Sequence, residues 1–134
     1  MYSETEQKMK GFIVTLIIFL LIIVGLFFYA SYMDSAFSDL LALLDETENS
    51  INTKDFSGAY RYADKFSKAL IKKSYTLYFF ADRCPIDNAL VESSRLKSFI
   101  KSEDDAEASS VLSGLKTMLN KISEKASLKL YNIL

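Results

Sequence analysis

The chain has 134 residues, a formal charge of -1 and no His. That length allows one ordinary domain, and the near balance of charge, which persists when Glu4, Glu6, Lys8 and Lys10 are set aside, leaves no basic excess to grip nucleic acid. Without His the commonest general base and metal ligand are missing, and Cys84 is a lone thiol with no second Cys for an intramolecular disulfide or a multi-Cys metal site, so no catalysis, cofactor or metal is expected.

Residues 1–10 are mostly polar. From Gly11 to Met33 no side chain is ionisable, and about 23 residues at roughly 1.5 Å per residue slightly exceed a hydrocarbon core of about 30 Å. The stretch is expected to span a bilayer. A cleaved signal peptide would be shorter and would offer small residues before a cut, which Tyr29-Ala30-Ser31-Tyr32 does not supply. Lys10-Gly11-Phe12 resembles a type IV pilin processing site, but Leu16 stands where pilins carry a Glu, and no strand signals follow for a pilin head. A pilin-like assembly subunit is therefore a secondary alternative. Lys8 and Lys10 precede the span and no Lys or Arg follows until Lys54, which places the amino terminus in the cytoplasm and residues 34–134 outside. Tyr29 and Tyr32 fit an aromatic belt at the outer interface, while Gly11 and Thr15, four apart, give a weak signal for helix pairing.

Beyond the span, Phe37, Leu40, Leu41, Leu44 and Ile51 recur at helical spacing, so the membrane helix is expected to continue outward. Asp55 reads as the cap of a second helix with apolar positions Phe56, Ala59, Ala63, Phe66, Leu70, Leu77 and Phe80, ended by Cys84-Pro85. A third is expected from about Pro85 to Lys101, facing inward through Ile86, Ala89, Leu90, Leu96 and Ile100. Ser102, with Glu103, Asp104 and Asp105, resembles a capping box for a fourth, carried by Ala108, Val111, Leu112, Leu115, Leu119, Ile122 and Ala126, with Leu130 and Ile133 extending the stripe. Four Gly, one Pro and no clear repeat imply short turns and antiparallel neighbours. The expected fold is all-α: one transmembrane helix (11–33) after a cytoplasmic tail (1–10), continuing into an extracytoplasmic bundle of about four helices (34–134).

Pro85-Ile86-Asp87 leading into Ser94-Arg95-Leu96, then Gly114-Leu115-Lys116 and the closing Ser127-Leu-Lys-Leu-Tyr-Asn-Ile-Leu134, together with Asp55-Phe56 and Ala59, resemble the family called domain of unknown function 4363. These are small single-pass membrane proteins of Gram-positive bacteria. In that family a His often follows the Asp at position 82, where this chain has Arg83. The resemblance implies a membrane-anchored helical domain and no established activity.

Few residues invite chemistry. The acids Glu103 to Glu107 suit a helix amino terminus, and Asp82, Arg83 and Asp87 around Pro85 read as a structural turn in which an Arg between two carboxylates locks the second helix to the third. Tyr75, Tyr78 and Phe79 project off the inward face of their helix and are candidates either for burial in the bundle or for a partner surface, against a protein or the bilayer. The sequence thus points to an accessory or scaffolding subunit of a membrane complex, its partners the lipid bilayer and a membrane protein or a second copy. The alternative is a ligand-sensing module that signals through a membrane partner.

Overall fold

The computed structural model describes residues 2–79 and 81–133, the side chains of 2 and 129–133 excepted. Phe80 and Leu134 thus lie outside the described residues, as do the side chains of Leu130, Tyr131 and Ile133, on which part of the expected inward face falls. Four helices follow in order: α1 (Tyr2–Asn52), α2 (Phe56–Leu77), α3 (Arg83–Lys101) and α4 (Asp105–Ile133), with no strand among the described residues. The chain divides into two compact units, Met1–Tyr32 and Met33–Leu134.

In the first unit α1 is exposed through residues 3–25, and it is the one helix among the described residues long and apolar enough to cross a membrane. Thr15 donates its hydroxyl to the Gly11 carbonyl at 2.8 Å, so its polar group is satisfied within the helix.

The second unit is a four-helix bundle whose core follows one rule. Buried positions fall at steps of four and three: Met33, Phe37, Leu40, Leu44, Thr47 and Ile51 on α1; Ala59, Ala63, Phe66, Leu70, Ser74 and Leu77 on α2; Ile86, Ala89, Ser93, Leu96 and Ile100 on α3; Ala108, Leu112, Leu115, Leu119, Ile122 and Ala126 on α4. A seven-residue repeat keeps each apolar seam facing its neighbours at a shallow crossing angle. Ion pairs fix the order of the helices. Lys73 joins α2 to α1 through the Ala36 carbonyl (3.2 Å) and Asp39 (3.7 Å). Lys97 of α3 bonds Asp64 of α2 (3.1 Å), and Lys116 of α4 returns to Asp45 (2.7 Å) and Glu48 on α1. Each pairing joins antiparallel neighbours.

Two turns at one end of the bundle use the same device. Lys54 and Glu103 both adopt the left-handed conformation, with φ of 63° and 57°. At the first turn Lys54 N–H donates to Ile51 and Asp55 N–H to Ser50; at the second Glu103 N–H donates to Ile100 and Asp104 N–H to Phe99, which together close the last carbonyls of α1 and α3. The hydroxyls of Thr53 and Ser102 donate four residues back, to Asn49 and Ser98. Asp55 then accepts from Gly58 N–H (3.0 Å) and Asp104 from Glu107 N–H (3.2 Å), so each Asp starts the next helix. The cap of α4 is Asp104, not Ser102, which belongs to the end of α3.

That correspondence extends along both hairpins at one constant offset, so the bundle is a repeat of two helical hairpins where the sequence shows none clearly. Phe37, Leu40, Leu44 and Ile51 fall on Ile86, Ala89, Ser93 and Ile100; Ala59, Phe66, Leu70 and Leu77 fall on Ala108, Leu115, Leu119 and Ala126. The groove lined by Ile51, Asn52, Lys54, Asp105, Ala106 and Ser109 matches, position for position, the one lined by Ile100, Lys101, Glu103, Phe56, Ser57 and Tyr60. At one pair of equivalent positions the charge is inverted: Glu48 takes Lys116, while its counterpart Lys97 takes Asp64.

Candidate interaction surface

α2 ends at Leu77, well before Cys84-Pro85, and a short turn leads into α3 at Arg83. The apolar run Tyr75 to Ala81 keeps helical spacing past the true end of the helix, because Ala81 packs inward from the turn with its N–H on the Leu77 carbonyl (2.8 Å). Pro85 sits in the first turn of α3, where its missing N–H leaves no bond unmade.

The turn joins a third group, Tyr78, to the expected pair of Arg83 with Asp87. Tyr78, the residue after α2, donates its hydroxyl to Asp87 at 2.6 Å; the Arg83 guanidinium lies 4.7 Å from the centre of the Tyr78 ring and 3.7 Å from the Asp87 carboxylate. A phenol therefore crosses the turn beside the Arg83–Asp87 pair. The bond to Asp87 raises the Tyr78 phenol above its ordinary pKa. Asp82 precedes α3 without a side-chain cap bond to its first turn.

Tyr78 is half-buried, but Tyr75 is 69% exposed and Phe79 84% exposed. Ile71, also exposed, precedes Tyr75 by four residues, so α2 carries an apolar line outward to its carboxy-terminal end. Lys72 is exposed beside that line. On α4 the equivalents of Lys72 and Phe79 are Lys121 and Leu128, both exposed. Between α3 and α4 at this end an open groove of about 440 Å³ runs over Cys84, Pro85, Met118 and Ile122, rimmed by Asp82, Lys121 and Lys125. Cys84 is exposed, with the Asn88 amide 3.9 Å from its sulfur.

Other ionisable groups have structural partners. Asp64, held by Lys68 and Lys97, titrates below the usual carboxylate range, and Asp105 is lowered likewise by Lys54. Burial alone would lower the Lys116 ammonium, but its bonds to Asp45 and Glu48 prevail and raise it. Thus the acidic run supplies a cap, Asp104, and an ion pair, Asp105. Lys8, Lys10 and Tyr32 are exposed and Tyr29 is half-buried.

Sequence reading singled out Tyr75, Tyr78 and Phe79 but missed Lys72, Lys121, Lys125 and Leu128. The spacing was available in the sequence: Lys72 and Lys121 each precede an exposed apolar residue, Phe79 and Leu128, by seven positions. No curated protein and no solved structure matches the chain. A family model, Domain of unknown function (DUF4363), matches residues 27–133, and the chain belongs to that family.

Proposed function

We propose that this is a membrane-anchored helical interaction protein, an accessory or scaffolding subunit of a membrane complex without catalysis of its own. The observation that carries this reading is the contrast within α1. Its apolar half leaves residues 11–25 exposed on every side, whereas positions from Met33 onward are spent on a bundle core. An apolar helix of that length needs lipid around it, and a bundle that satisfies its own core is free to present its surface to others. Lys8 and Lys10 ahead of the span support a cytoplasmic amino terminus and an extracytoplasmic bundle.

The test is purification of the full chain from gently solubilised membranes after brief crosslinking. A stoichiometric membrane protein, or a second copy of the chain, supports the subunit reading. A lone chain carrying a bound small molecule favours the sensing module and defeats the subunit.

A further inference from the structure

We propose that the bundle pairs with a second copy of the chain through the outer face of its first hairpin, the acidic flank of α1 in each copy lying on the basic flank of α2 in the other. This rests on the subunit reading above and names a second copy as the partner.

Charge is divided between these two helices. From Met33 to Asn52, α1 carries five acids, Asp34, Asp39, Asp45, Glu46 and Glu48, and no base, whereas α2 carries five bases, Arg61, Lys65, Lys68, Lys72 and Lys73, and one acid, Asp64. Pairs inside the bundle use only part of this charge. Lys116 takes Asp45 and Glu48, Asp64 takes Lys68 and Lys97, and Lys73 approaches Asp39 to 3.7 Å while the Asp39 side chain stays 70% exposed. The remainder is acidic on α1 (Asp34, Glu46 and most of Asp39) and basic on α2 (Arg61, Lys65 and Lys72), and all six residues are exposed. Among the described residues Glu46, Lys65 and Lys72 form no ion pair, and Lys65 lies 5.7 Å from the centre of the Tyr62 ring.

Register decides which charges meet. The contacts of Lys73 with Asp39 and the Ala36 carbonyl set the level of α2 against antiparallel α1. Glu46 lies seven residues after Asp39 and Lys65 seven before Lys72, about 10 Å in the same direction along the bundle, so Asp39 stands level with Lys72 and Glu46 with Lys65. A two-fold axis parallel to the helices keeps every residue at its own level and carries α1 of one copy over α2 of the other. It therefore sets Asp39 opposite Lys72 of the second copy and Glu46 opposite Lys65 of the second copy, and the symmetry repeats both pairs. An axis across the helices would instead set α1 on α1, acid on acid, and α2 on α2. Leu43, four residues after Asp39, and Ala69, four before Lys73, share one level between the ridges; both are half-buried and give the interface an apolar strip inside its charged rim.

The hairpin repeat separates these charges from the needs of the fold. At its constant offset Asp39, Glu46, Lys65 and Lys72 fall on Asn88, Arg95, Gly114 and Lys121. The second hairpin thus keeps the core spacing with no acid in the set, so packing alone does not require acids on one helix and bases on the other. An exposed ion pair is weak singly. Two chains anchored in one membrane, however, meet at high effective concentration, and an axis parallel to the helices lets both chains enter their bundles from the same end.

The experiment uses the full chain in a Cys84→Ser background, labelled with a donor or an acceptor dye at Ser110→Cys on α4 and reconstituted at high lipid dilution into phosphatidylcholine vesicles. The expected result is energy transfer between copies that falls as salt is raised, the Debye length shrinking from about 10 Å at 0.1 M to about 3 Å at 1 M. Two variants follow, Asp39→Lys with Glu46→Lys, and Lys65→Glu with Lys72→Glu. Each alone should lose the transfer, because like charges then face each other, and a mixture of the two should regain it, because every facing pair is opposite again. A role confined to one bundle would not be restored by a second chain. Circular dichroism checks that each variant is folded. Where one is not, single-Cys chains carrying Asp39→Cys and Lys72→Cys are mixed instead and should be joined by a short bismaleimide, whereas Ser110→Cys and Lys72→Cys chains should not. Transfer retained by either folded variant alone, no recovery in the mixture, or no crosslink between positions 39 and 72 overturns the proposal. Absence of transfer in the unsubstituted chain at every salt concentration overturns it too, and the subunit reading stands if that chain still recovers another membrane protein in the purification above.

Discussion

Ser93 offers a sensitive test of the packing. It occupies a core position of α3 between Ala89 and Leu96, is fully buried, and its hydroxyl finds no hydrogen-bond partner among the described residues. A buried hydroxyl without a partner costs about 1–3 kcal/mol relative to a satisfied one. Ser93→Ala removes that oxygen, leaves only a small void and gains about 0.5 kcal/mol of helix propensity. The substitution should stabilise the bundle by about 1 kcal/mol or more, a rise of ~4–8 °C in Tm for each kcal/mol in a domain of this size. Urea unfolding of the fragment spanning 33–134, followed by circular dichroism, measures it. Ser74→Ala is the control, because Ser74 is equally buried but donates to the Ile71 carbonyl at 2.6 Å, so it should shift the midpoint less. If Ser93→Ala lowers the midpoint, the hydroxyl is bonded in solution and the account of this core layer is wrong.

Leu44 and Leu115 are both fully buried, on α1 and α4; Leu→Ala at either should cost about 2–5 kcal/mol in the same assay, and a near-neutral Leu44→Ala would mean that α1 does not belong to the bundle core. Stability should also fall in acid. Asp64 and Asp105 have folded pKa values below the ordinary 3.8, so their stabilisation is present above that pH and is lost as pH falls through the lowered values. Lys54→Met with Lys97→Met should flatten this acid limb, and an unchanged limb would show that these pairs do not drive it. Lys116 and Lys68, raised above the ordinary 10.5, act at the other extreme: their contribution is present below it and fades as pH rises through the raised values.

Periodicity carried most of the fold. Phe37, Leu40, Leu44 and Ile51, and the stripe from Ala108 to Ala126, stand in the core where their spacing placed them. The junctions were less legible, for physical reasons. Pro85 marks a first helical turn rather than a first residue, so its preference for helix starts leaves the boundary open by a few positions. Ser102 and Asp104 can each cap a helix; the left-handed Glu103 between them decides, and a non-glycine residue there gives no composition signal. The hairpin repeat escaped notice because identities survive at few places, such as Asp55 and Asp104, Ala59 and Ala108, or Leu70 and Leu119. What was kept is hydrogen-bond geometry and core spacing, which many residue pairs satisfy. Tyr78 illustrates the limit on site reading: its projection off the core face was visible in the sequence, but its bond to Asp87 depends on where α2 stops.

The most direct test of an anchored, extracytoplasmic bundle is labelling of a single Cys on intact cells. Ser110 is exposed on α4, and Ser110→Cys in a Cys84→Ser background should react with a membrane-impermeant maleimide while the protein remains in the membrane fraction after alkaline carbonate washing. Protection from the maleimide until the cells are lysed would place the bundle in the cytoplasm, and release by carbonate would remove the anchor; either would contradict the account.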